Sequence, residues 1–146
     1  MLLALLAALA AGTFIALQAG LIGEFGTRVP AVTVAFWVHL AGLVAAFVLV
    51  LVTGSGFQLA AVRAAPVGLL AGVFGVGIVS TIAIAVAPLG LGATLAIVTG
   101  VQLLLAFALE AGGILGPQVR FDVVRVLGVV LIVAGVLLVF GRGRPA

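Results

Sequence analysis

The stretch from Leu91 to Glu110 reads LGATLAIVTGVQLLLAFALE, and it decides the fold. All of it except the glutamine at 102 and the closing glutamate suits an oily surrounding. Its length matches the ~20 apolar residues that carry an α-helix across a bilayer core. A segment of this kind raises one question: what does its glutamine face?

The rest of the chain has the same character. Of 146 residues, 66% are hydrophobic and 6% charged, and the mean hydropathy is +1.62. A soluble domain covers its surface with roughly 25% charged residues, so the main solvent of this chain is lipid. The net charge of +3 comes from six arginines set against Glu24, Glu110 and Asp122. The arginines are scattered singly, with no cluster to grip nucleic acid or anionic lipid. The absence of cysteine excludes disulfides, thiolate metal sites and thiol catalysis. One histidine and three acids supply neither a metal cage nor a hydrolytic triad. The expectation is a protein that is not an enzyme and needs no metal or cofactor.

The opening run MLLALLAALAAGTFIALQAGLIG lacks a positive leader and outlasts the apolar core of a signal peptide, about 7–15 residues. It reads as a retained first helix. The expected architecture is an all-α integral membrane protein, one transmembrane domain over 1–146. Five spans are expected, at about Leu2–Gly23, Pro30–Thr53, Pro66–Ala87, Leu89–Leu109 and Val123–Gly141. Four spans would need one of these runs to be a re-entrant or surface segment, and none is short enough to favour that. GEFGTRVP separates the first two and ends in a proline suited to a helix's first turn. TGSGFQLAAVRAAP is the longest polar connection, and EAGGILGPQVRFD is turn-rich. PLG at Pro88 is so short that the flanking helices are expected to be antiparallel neighbours. Arg125 and GRGRPA mark the ends of the last span, where arginine snorkels to the interface. Gly12-Ala16-Gly20, Gly68-Gly72 and Gly92-Ala96-Gly100 place small residues every four positions, a spacing that lets helix backbones approach.

Five spans put Arg63, Arg120 and Arg125 on the side of the N-terminus and Arg28, Arg142 and Arg144 on the other. Arginine bias normally sets orientation, and here the two sides balance. That balance is what a chain inserting both ways up would show, and dual insertion is the expectation. Two copies in opposite senses form an antiparallel pair with the inverted symmetry of many secondary transporters. The expected partners are membrane lipid, a second copy in that arrangement (or a homologue in a heterodimer), and a small-molecule solute.

Depth along each span, at ~1.5 Å per residue, locates the polar groups. Gln18 lies about 9 Å from the centre of the first span. His39 falls a few ångströms from the middle of the second, with Trp37 slightly further out. Thr99 and Gln102 lie close to the midplane, and Glu110 ends its helix. At about 100° per residue, Thr99, Gln102, Ala106 and Glu110 share one stripe, which suits protein or water better than lipid. Gln18, Trp37, His39, Thr99, Gln102 and Glu110 are therefore the candidate cavity residues. Each has a plainer reading as well: a helix-to-helix hydrogen bond for Gln102, a carbonyl-satisfied ring for His39, an interfacial tryptophan, a solvated carboxylate. Ser80 and Thr81 are expected to bond back to their own helix. Glu24 and Arg28, four apart, are expected to form a minor surface pair.

The segments AGTFIALQAGL, GTRVPAVTVAF, PLGLGATLAIVTGVQLLLAFALEAGGILG and RVLGVVLIVAGVLLV together resemble the YdcZ-type branch of the drug/metabolite transporter superfamily. The resemblance spans nearly the whole chain. It implies a small bacterial inner-membrane protein of about five helices and an exporter-like activity. Gln18 matches the glutamine typical of the family's first helix. Gly100 and Gln102 resemble its Gly-Gln pair but are separated by Val101, and Glu110 stands where aspartate is usual. Ile22 and His39 replace an asparagine and a small residue. The resulting expectation is a transporter of a small hydrophobic or amphiphilic solute, working as an antiparallel dimer by alternating access. The alternatives are a non-transporting membrane subunit and a lipid-handling protein.

Overall fold

The computed structural model describes residues 1–113 and 123–142. The described chain is helical throughout, with no strand: α1 (Leu2–Gly26), α2 (Ala31–Thr53), α3 (Leu59–Ala64), a 3-10 turn at Pro66–Leu69, α4 (Leu70–Leu89), α5 (Leu91–Ala111) and α6 (Val123–Arg142). In lipid each backbone N–H and C=O must be satisfied within its own segment, and helices do this. Among the described residues, four helical segments are long and apolar enough to cross a membrane: Leu2–Gly26, Ala31–Thr53, Pro66–Leu89 and Leu91–Ala111. The fifth expected span is also helical, but its apolar stretch among those residues runs only from Val126 to Val136. Arg120, Asp122 and Arg144 lie outside the described residues.

The connections follow local chemistry. Pro30 is the N-cap of α2, and its carbonyl accepts from the N–H groups of Thr33 at 2.8 Å and Val34 at 3.1 Å. Gly54 takes the left-handed conformation, φ 64°, that ends α2. The long polar connection after it is not all loop. LAAVRA winds into α3, as its alanines and arginine favour, and Phe57 lies back on Phe47 with ring centroids 5.8 Å apart. Gly90 alone separates α4 from α5, at φ 78°.

Two compact units divide the chain, Met1–Pro88 and Leu89–Ala146. In the first, the buried residues fall in the C-terminal halves of α1 and α4 and near the start of α2. Gly23 and Gly26 bring α1 against α4. A Cβ at Gly23 would lie 2.9 Å from the Val86 Cβ, and one at Gly26 would lie 3.0 Å from the Ala83 carbonyl oxygen. In the second unit α5 packs along α6, and Gly100 makes room for Val136. Buried positions recur at an interval of sixty residues: Ala19 and Val79, Ile22 and Ile82, Gly23 and Ala83, Val34 and Thr94. The helix crossing obeys the same shift, since Gly23 meets Val86 while Gly26 meets Ala83.

Most large aliphatic side chains point outward, Leu9, Leu43, Val73 and Leu105 among them. In water such a surface would aggregate; in hydrocarbon it is the ordinary exterior. The expected surface pair is present, with Arg28 Nη2 2.6 Å from Glu24 Oε1 and both side chains well exposed. Exposed pairs of this spacing contribute about 0.3–0.5 kcal/mol. Glu24→Gln is accordingly expected to shift the unfolding free energy by no more than ~0.5 kcal/mol, as measured by denaturation in detergent.

Candidate functional site

Of the candidate residues on α1 and α2, His39 is the one anchored by a hydrogen bond. It sits on α2 one turn after Val34 and Ala35, both fully buried, so its backbone belongs to the most tightly held part of the first unit. Its Nδ1 donates to the Ala35 carbonyl oxygen at 2.8 Å. The other face of the ring turns to α4, where a Cβ on Gly75 would lie 2.8 Å from Nε2. Only a glycine at 75 admits the imidazole in this position. His39 lines an open groove of about 390 Å³ with Phe36, Leu40 and Leu43 of α2 and Val76 of α4. Trp37 stands half exposed beside it, edge-on to Phe36 with ring centroids 5.3 Å apart. On α1 of the same unit Gln18 is exposed, and its side chain has no hydrogen-bond partner among the described residues.

The second unit separates the expected stripe of α5 into two parts. Thr99 and Gln102 are exposed, and the Gln102 amide has no hydrogen-bond partner among the described residues. Ala106 and Glu110 instead edge the seam with α6. There, with Leu103 and Phe107 of α5 and Gly128, Val129 and Ile132 of α6, they line a groove of about 260 Å³. Glu110 is half-buried rather than freely solvated. The stripe and the α6-packing face are neighbours on the helix and overlap only at positions 106 and 110. Thr81 bonds back to its own helix as expected, its hydroxyl donating to the Gly77 carbonyl at 2.9 Å.

Reading the sequence missed Gly75, which gives the histidine its place, and Gly128, which lines the same groove as Glu110. Neither is marked by spacing, since glycine is frequent throughout these helices. Among the described residues no three His, Asp or Glu side chains gather where they could hold a metal ion.

Four candidate spans, an apolar exterior and a few polar groups set within the spans define a multi-pass integral membrane protein. Residues 3–138 match the family described as "Putative inner membrane exporter, YdcZ". The chain belongs to that family, and it is a multi-pass inner-membrane protein of transporter type. No curated protein and no solved structure matches it.

Proposed function

We propose that the chain exports a small hydrophobic or amphiphilic solute by alternating access, as an antiparallel dimer with five spans per protomer. The observation that carries this reading is the pair of exposed, unbonded glutamines, Gln18 in one unit and Gln102 in the other. A primary amide without partners in hydrocarbon costs several kcal/mol. The faces that bear these amides therefore meet water, a solute or a second chain. Gln18, Trp37, His39, Thr99 and Gln102 line the pathway in this reading, with Glu110 near one mouth. The scarcity of charge suits an apolar or amphiphilic cargo better than a multiply charged one. The fifth span is α6, whose 20 residues give about 30 Å of helix, the thickness of a bilayer core. Balanced arginines on the two sides support insertion in both senses, and rocking of one protomer against the other would alternate access.

Topology tests the arrangement directly. Reporters active only in the cytoplasm or only in the periplasm, fused separately to the C-terminus, are both expected to give signal. Signal from one alone would fix a single orientation and remove the antiparallel homodimer, leaving a heteromer with an oppositely oriented homologue.

A further inference from the structure

We propose that the groove between α2 and α4 selects solutes whose polar end is a hydrogen-bond donor, with His39 Nε2 as the acceptor. The proposal deepens the exporter reading and rests on it. Its starting point is the bond from His39 Nδ1 to the Ala35 carbonyl, 2.8 Å long. A carbonyl oxygen only accepts, so Nδ1 carries a proton, and in the uncharged form of the ring Nε2 is left as the acceptor. No described residue donates to Nε2, and it is not a sealed, unsatisfied buried atom. α4 offers it no donor, because the residue it packs against is Gly75. The rest of the groove is Val32, Ala35, Phe36, Leu40, Leu43 and Val76, whose side chains have no polar atom.

The groove therefore asks for two things at once, an apolar body and one donor. Lipid acyl chains supply the first and not the second. An acceptor about 4–5 Å from the centre of a span is beyond easy reach of bulk water, so leaving it unmade carries a desolvation cost. A primary alcohol or a primary amine on an alkyl body satisfies both demands. An ether or a quaternary ammonium of the same size satisfies only one.

Trp37 is the chain's single tryptophan and packs against Phe36 of the groove, so its fluorescence reports occupancy. The full chain in lipid nanodiscs is titrated with octan-1-ol and with methyl octyl ether, which differ chiefly in the donor. The alcohol is expected to bind about tenfold more tightly, the ratio that one satisfied hydrogen bond of ordinary strength gives. His39→Phe should bring the alcohol to the level of the ether and leave the ether unchanged. Gly75→Ala, whose methyl group would crowd Nε2, should weaken the alcohol in the same direction, and it keeps the test alive if the phenylalanine variant does not fold. Equal affinities in the wild type, or a preference that survives the substitutions, overturns the proposal. So does a Trp37 signal deaf to the alcohol because a second copy covers the groove. Transport is followed separately as ethidium efflux from proteoliposomes. Preference without efflux retires the exporter reading; efflux without preference retires only the donor-selective groove.

Discussion

Gly23→Ala is expected to destabilise the protein by about 1–2 kcal/mol, although alanine is the better helix former. Two effects oppose each other here. Replacing glycine within a helix gains up to ~1 kcal/mol of propensity, whereas forcing a methyl group into a filled interface costs about 1–3 kcal/mol. At Gly23 the added carbon would fall upon Val86, a stiff β-branched side chain with no far end to swing away. Packing wins. At Gly26 the obstacle is the Ala83 backbone, with its carbonyl oxygen at 3.0 Å and its Cβ at 3.2 Å from the new carbon. Gly12→Ala and Gly72→Ala place their methyl groups in open space and should be neutral or slightly stabilising. Thermal unfolding in detergent separates the two pairs, and Val86→Ala should rescue Gly23→Ala but not Gly26→Ala. If all four variants melt together, α1 and α4 do not cross at these glycines.

Gln102→Leu should lower solute efflux about tenfold or more, while leaving the folded yield unchanged or higher. The Gln102 amide makes no hydrogen bond among the described residues, so the fold gives nothing up when it is replaced. If Gln102 instead bonded a neighbouring helix, its loss would appear in stability, at about 0.6–2 kcal/mol. Leu104→Ala, off the stripe on the same helix, should leave efflux near the wild-type rate. Ethidium efflux from proteoliposomes, read beside a melting curve for each variant, distinguishes the cases. A Gln102→Leu protein that melts early yet pumps normally per folded molecule would end the reading of this residue as part of a pathway.

Helices were easy to read in this sequence, and faces were hard. Length and apolarity place the span limits to within a few residues, from Leu2 to Gly26 and from Leu91 to Ala111. Local partnerships also follow from spacing alone, as in Glu24 with Arg28 and Thr81 with its preceding turn. Packing does not. Gly12, Gly68, Gly72 and Gly92 hold regular small-residue spacings, yet they face open space; of the ridge glycines, Gly100 meets a neighbour. The glycines that carry α1 onto α4 and admit His39 are Gly23, Gly26 and Gly75. In water an apolar stripe identifies the buried face of a helix. In lipid every face is apolar, so phase loses that meaning and small residues become ambiguous. The sixty-residue recurrence was hidden for a related reason, because Ala19 answers to Val79, Gly23 to Ala83 and Val34 to Thr94. Of the four pairs only Ile22 and Ile82 recur in identity; the others recur in burial alone. The polar candidates were legible by depth, but depth could not reveal that Glu110 shares a seam with α6 while Gln102 does not.

The crossing of α1 and α4 distributes its volume unevenly: α1 brings two glycines, and α4 brings valine and alanine. Helices so alike in their buried pattern could in principle trade places between neighbouring molecules. An α1 laid on a second α1 by the same geometry would set glycine against glycine and leave a hole. An α4 laid on a second α4 would set Ala83 against Val86 with no relief for either. Specificity is a difference between right and wrong pairings, and each wrong pairing here is penalised by shape. The crossing thus acts as a keyed joint: it selects the unlike pair over either like pair, and the unlike pair is the one that the chain's own first half supplies.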